Sequence, residues 1–166
     1  MTARQSMDRT PHPPSTSSVQ GGGTASAKAE HRRGPETGNE QPVRRFADAI
    51  NESDVHSALS VCDPEIEFRS MLGISGRAYI GHQGIREYFE DVASAWEEWR
   101  VEVHRVAGAP DGRVVIAMTM HVRGRESGAA LSEHAAHVWT VEDGKLLRNE
   151  LYHDPDEALR AVGVSV

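Results

Sequence analysis

Glu133, His134 and His137 bring three side chains of the metal-ligating and acid–base repertoire close together, and the chemistry of the chain is first sought there. Helical zinc sites carry His at i and i+4, with a Glu directly after the first His, so that both rings fall on one helix face. Here the histidines are three apart and the Glu precedes them. The surrounding pattern is that of a strand, on which an odd spacing sends the two rings to opposite faces. No metal site is expected. Gly73-Ile-Ser-Gly76 lacks the spacing of a nucleophile elbow, and Gly108 to Gly112 is followed by a strand rather than a helix, which removes a dinucleotide reading. No cofactor is implied. Cys62, the single cysteine, excludes an intramolecular disulfide and a multi-cysteine zinc site. It ends a short apolar helix and reads as core, and a lone thiol fits a cytoplasmic protein. Trp96 and Trp99 likewise read as core. The imidazoles, which titrate near neutrality, are left as the side chains best able to move a proton.

The elements that must position them begin near residue 40. Residues 1–40 hold five basic and four acidic side chains, a balance of +1, whereas residues 41–166 hold thirteen and twenty-one, a balance of −8. Nineteen of the first 40 residues are Gly, Pro, Ser or Thr, and none is aromatic. Such a segment cannot offset the ~1–2 kcal/mol per residue that backbone ordering costs, so 1–40 reads as a disordered tail and 41–166 as one domain. An acidic domain is a poor partner for nucleic acid, and no apolar run approaches the roughly 18–20 residues of a membrane span. Asn51-Glu52-Ser53 has the form of a glycosylation sequon, but no secretion signal precedes it and the match reads as fortuitous.

Pro42 opens a helix with Val43, Phe46, Ala47 and Ile50 on one face, and a second short helix fits Asp54–Val61. Ile66, Phe68 and Ser70 then alternate with Glu65, Glu67 and Arg69, as in a half-buried strand. Residues 71–81 read as a loop. From Gln83 to Trp99 apolar residues recur at three and four, including Ile85, Tyr88, Phe89, Val92, Trp96 and Trp99, which predicts a long helix. After Trp99 the period changes. Val101, Val103 and Val106 suggest a strand, Pro110-Asp111-Gly112 a turn, and Val114 to Arg123 a strand with one wholly apolar face. Leu131–Val141 and Lys145–His153 follow, joined by the hairpin signal Glu142-Asp143-Gly144. Asp154-Pro155-Asp156-Glu157 starts a last short helix that Gly163 ends. Helices first and a meander afterwards make the fold class α+β.

Four segments in this order, "DPEIEFRS" (63–70), "YIGHQGIREYF" (79–89), "HVWTVEDGKLLRNELYHD" (137–154) and "DEALRAVGV" (156–164), resemble the SnoaL-like branch of the nuclear transport factor 2-like superfamily. The resemblance covers roughly residues 42–164. It implies a cone-shaped, curved antiparallel sheet wrapped around the N-terminal helices, enclosing a pocket, and a homodimer. The superfamily holds isomerases, cyclases, dehydratases, epoxide hydrolases and non-enzymes, so fold alone does not give function. Against ketosteroid isomerases, Phe46 falls at the oxyanion-hole Tyr, Ser70 at the base and Ala136 at the second acid, so all three polar groups are absent. The Asp-Arg-Asp set of limonene-type epoxide hydrolases is absent too, with Met118-Thr119-Met120-His121-Val122 and Leu151 at its positions.

The comparison with that family puts His134, Ala136 and Val138 on the pocket face opposite Ile116, Met118 and Met120, followed by Asn149, Leu151 and His153 on the last strand. His134 and His153 are then the acid–base candidates, and Asn149 a donor to a carbonyl or oxyanion. Ile66, Phe68, Phe89, Val92, Ile116, Met118, Met120, Val138 and Leu151 would line the pocket. The other face would carry Val115, Ala117, Thr119 and His121 with Ala135, His137 and Trp139, and a Trp among uncharged side chains there would mark the dimer contact. The expected partner is a small apolar or carbonyl-bearing molecule, acted on by proton transfer without a cofactor. The competing expectation is a non-catalytic ligand-binding or dimeric interaction module.

Overall fold

A computed structural model describes residues 38–71 and 77–166. The expected tail through residue 37 and the Gly73-Ile-Ser-Gly76 segment lie outside the described residues. Helix α1 (Glu40–Glu52) begins inside the span read as tail. Its first residue is buried, and the Glu40 carboxylate accepts the Gly108 N–H at 3.0 Å, while the Asn39 amide donates to the Gly112 carbonyl at 3.0 Å. The folded part therefore starts before residue 41. Helix α2 (Val55–Val61) is capped by Asp54, whose carboxylate accepts the Ser57 N–H at 3.0 Å. Strands β1 (Cys62–Phe68) and β2 (Tyr79–Ile80) lead into helix α3 (Gly81–Ala95).

Helix α3 ends four residues before the periodicity suggests, and Trp96 opens strand β3 (Trp96–Gly108). Strands β4 (Val114–Gly124), β5 (Ala130–Glu142) and β6 (Lys145–Tyr152) complete a meander, and helix α4 (Pro155–Ala161) follows. Two bulges explain the misreading. Trp96 pairs with Gly124 and Trp99 with Val122, across a register shift between Trp96 and Glu98. The extra residue returns both indoles to one face, so a strand shows the spacing of three that a helix would show. A second shift between Val103 and Arg105 places Val101, Val103 and Val106 opposite Met120, Met118 and Ile116.

The six strands run in the order β2-β1-β6-β5-β4-β3. Strands β3 to β6 are antiparallel, β1 joins β6 in parallel, and the sheet is mixed and not closed. The long edge strand β3 would offer unpaired backbone to another chain. Helix α1 covers part of that edge. The Asn51 amide donates to the Val101 carbonyl at 2.8 Å and accepts the Val101 N–H at 2.7 Å. This two-point clasp occupies both ends of the sequon asparagine's side chain. Among the described residues, no helix is long and apolar enough to cross a membrane.

The central strands are covered on both faces, and this decides the orientation of β5. On the inner face, α1 and α3 pack against Phe68, Ile116, Met118 and Trp139; on the outer face, Ala158, Leu159 and Val162 around α4 cover Val115, Ala136 and Val138. Seven consecutive residues of β4, Val114 to Met120, are buried. Trp139 pairs with Val114, His137 with Ile116 and Ala135 with Met118. Residues directly opposite share a face, so Ala135, His137 and Trp139 point inward and His134, Ala136 and Val138 outward. This reverses the expected parity of β5. Trp139 is 1% exposed, stacked on Phe68 at 5.8 Å and edge-on to Phe46 at 5.4 Å. It is a core residue and not part of a dimer contact.

Candidate functional site

Between α1 and the inner face of the sheet lies a cavity of about 20 Å³, bordered by Phe46, Phe68, Ile116, Met118, Met120, His137 and Trp139, with Ile50, Ser70, Tyr88 and Val101 towards one side. It has room for about one water molecule. The inward pleat of β5 aims His137 into it, where the Phe68 and Trp139 rings stand edge-on to the imidazole at 5.9 and 6.1 Å. The His137 Nε2 atom has no hydrogen-bond partner among the described residues. Burial in this apolar surround pushes the imidazole pKa down from 6.5 to about 4. The ring is therefore neutral at physiological pH, with one nitrogen as donor and the other as acceptor.

Tyr88 supplies a second polar group. Its ring is held by Phe68 at 4.9 Å, Tyr79 at 5.4 Å, Phe89 at 5.6 Å and Trp99 at 6.2 Å. Burial raises the pKa of its phenol, and the nearby Ser70 hydroxyl offsets part of that rise. The Trp99 indole N–H lies near the same hydroxyl but outside hydrogen-bonding geometry. Tyr88 thus stays a phenol able to donate. Ser70 is set in place by Asn149, whose Oδ1 accepts the Arg69 N–H at 2.8 Å and whose Nδ2 donates to the Arg69 carbonyl at 2.9 Å. This clasp ties the end of β1 to β6.

Several residues expected at the site are elsewhere. His134 is exposed on the outer face, where the Thr119 hydroxyl joins its Nδ1 at 2.9 Å to His104 Nε2 at 2.6 Å. His153 is exposed between β6 and α4. The two histidines do not meet at the cavity. Asn149 is buried on the inward face of β6 but does not border the cavity, and its amide oxygen and one of its two N–H donors are engaged by the Arg69 backbone. Val138 packs under α4. Phe68, Ile116, Met118 and Met120 border the cavity, Ile66 lies in the surrounding core, and Leu151 is half-buried opposite His137. Phe46 and Ser70, aligned with polar groups of ketosteroid isomerases, also border it, whereas Ala136 faces away.

Phe89 and Val92 line a separate, open groove of about 1030 Å³ between the end of α1, α3 and β3. Trp96 and Trp99, 6.0 Å apart, form part of its floor, and Arg86, Glu98 and Arg100 stand around it. Ile50 and Tyr88 border both the groove and the inner cavity. The arrangement sets an open, partly aromatic groove beside a small, mostly apolar cavity holding one neutral imidazole. His137, Ser70 and Tyr88 were not singled out by the sequence for this role.

No curated protein matches the chain. Among solved structures, the fold is similar to an NTF2-like protein of unknown function from Burkholderia pseudomallei, with a TM-score of 0.63 and 23% identity over 76% of this chain and 98% of that one. TerC, co-crystallized with polyporic acid, has a TM-score of 0.62 and 25% identity over 76% of this chain and 98% of its own. A candidate polyketide cyclase from Pseudomonas putida has a TM-score of 0.59 and 18% identity, again over 76% and 98% of the two chains. The sequence profile of the SnoaL-like domain matches residues 43–149, which span α1 through most of β6. The chain belongs to the SnoaL-like domain family.

Proposed function

We propose that this domain binds a small, mostly apolar molecule bearing a carbonyl or acidic hydroxyl, and that His137 is its hydrogen-bonding and proton-accepting partner. The observation that carries the reading is the unpartnered Nε2 of a buried, neutral imidazole facing the cavity. Leaving such an atom unsatisfied costs roughly 1–3 kcal/mol, and buried polar groups without partners are rare enough to need a reason. A ligand hydroxyl or carbonyl meeting that nitrogen would offset the cost. With Tyr88 and Ser70 donating to a carbonyl oxygen, His137 could take a proton from an adjacent acidic carbon, the step shared by isomerases, cyclases and dehydratases. Proton transfer of this kind requires no redox cofactor. TerC with polyporic acid, and relatives named as candidate polyketide cyclases, support a ligand of this class. A homodimer and a cytoplasmic location belong to the same reading. The dimer contact would use outer-face residues that remain accessible, such as His121 and His134, instead of the buried Trp139.

The small volume of the cavity favours a second reading, a non-catalytic binding module whose interior stays filled. Calorimetric titration with polyporic acid separates the alternatives. The parent should bind, and His137→Phe should weaken binding by about tenfold or more, the equivalent of one net hydrogen bond at ~1.4 kcal/mol. Equal affinities for parent and variant, or no heat of binding to the parent, would contradict the proposed role of His137.

A further inference from the structure

We infer that Ile50 decides which ligands reach His137, by closing the passage between the outer groove and the inner cavity; this rests on the proposed ligand reading. Among the residues bordering these spaces, Ile50 and Tyr88 are the two shared by both. They form the partition, and they differ in how far they can move.

Tyr88 is fixed. Four aromatic rings surround it within 6.2 Å and hold it in place. Ile50 is half-buried in the last turn of α1, with an aliphatic side chain that packs against the core from its edge. The helix beneath it is fastened at both ends, by Glu40 to Gly108 and by Asn51 to Val101. A shift of the whole helix would break those bonds. Rotation of the Ile50 side chain breaks none, so opening is a side-chain event and the bulk at position 50 sets the width of the passage. The inner cavity holds about one water, so what passes Ile50 is a ligand's hydroxyl or carbonyl oxygen, while a flat aromatic body stays in the groove beside Trp96 and Trp99.

The test compares the full chain with its Ile50→Ala, Ile50→Val and Ile50→Phe variants in two measurements. The first is the rate at which diethylpyrocarbonate modifies His137, located by mass spectrometry; the reagent attacks neutral imidazole, so access limits the rate. Ile50→Ala should raise that rate about tenfold, Ile50→Val should raise it less, and Ile50→Phe should lower it, with His134 and His153 unchanged. The second is binding of 2-naphthol, which should tighten about fivefold in Ile50→Ala and weaken in Ile50→Phe. An unchanged His137 rate across the series, or an equal rise at every histidine, would overturn the inference. If Ile50→Ala does not fold, Ile50→Val and Ile50→Phe still carry the comparison from both sides. Should 2-naphthol bind the parent through His137 yet ignore position 50, the passage fails and the ligand reading stands. Should His137 access follow position 50 while 2-naphthol and polyporic acid bind nowhere, the ligand reading fails and the passage stands.

Discussion

Trp139→Ala is expected to lower the unfolding free energy by about 3–5 kcal/mol, the range for removing a large aromatic from a packed core. Trp139 is 1% exposed, stacked on Phe68 and edge-on to Phe46 and His137 in one aromatic cluster. It pairs with Val114 on β4 and Asn149 on β6, so its loss opens a void where three strands meet. Trp139→Glu would be worse, because it buries a carboxylate with no cation beside it. Were Trp139 an interface residue, that second variant would instead be a folded monomer. Chemical denaturation with sedimentation analysis distinguishes the outcomes: a stability within about 1 kcal/mol of the parent for Trp139→Ala would place the indole outside the core.

The second large effect is on pH dependence. His137 takes up a proton at about pH 4 in the folded chain against 6.5 for an ordinary imidazole, because burial disfavours the charged form. The unfolded chain therefore binds the proton first. The stability set by His137 is complete above pH 6.5 and falls as the pH drops towards 4, by about 3 kcal/mol in all at ~1.4 kcal/mol per pH unit. His137→Phe removes the dependence. It should match or exceed the parent near neutrality, since an unpartnered nitrogen goes with the ring's replacement, and its advantage should grow steadily on acidification through that window. Asp54, Glu102 and Asp111, each held below its usual carboxylate pKa by hydrogen bonds, are common to both chains and cancel in the difference. Parallel stability curves for the two proteins would show that His137 is solvated.

Much of the fold was legible because local signals agreed with one another. Of the two cap candidates Ser53 and Asp54, Asp54 caps α2, Asp154 caps α4, and Asp143-Gly144 makes the hairpin with φ of 49° and 73°. The four segments that carry the family resemblance correspond to β1, the start of α3, the β5–β6 hairpin and α4. Two things were not legible. Bulges hide in the spacing: Trp96 and Trp99 look helical, and Val101, Val103 and Val106 look out of phase, until one extra residue is inserted at each bulge. The parity of β5 was hidden by burial on both faces. Ala135, His137, Trp139 and Val141 form one apolar set with a single imidazole, and Ala136 and Val138 form another because α4 covers them. Alternation identifies a half-buried strand, and it loses its meaning where both faces are dry.

That ambiguity is why strand spacing points to His134 and His153, whereas the cavity is bordered by His137. The bulkiest residue of the strand held the clue: Trp139 has its large ring buried beside Phe68, which fixes the inward set by itself. Asn149 shows a different limit. Its position facing inward was legible, but its two bonds to the Arg69 backbone were not, since they depend on β1 ending against β6 in parallel. Sequence spacing within one strand carries no information about a partner eighty residues away.

The most direct test of the account is the state of the His137 nitrogens, read by NMR on protein labelled with ¹⁵N-histidine. At about pH 5.5, where an ordinary exposed imidazole is mostly protonated, His137 should show the shifts of a neutral ring. Saturation with polyporic acid should then move its Nε2 resonance as the missing hydrogen bond forms, with the exposed His134 and His153 little changed. An imidazolium at His137 at that pH, or nitrogen shifts identical with and without polyporic acid, would contradict the claim that this ring is the ligand's partner.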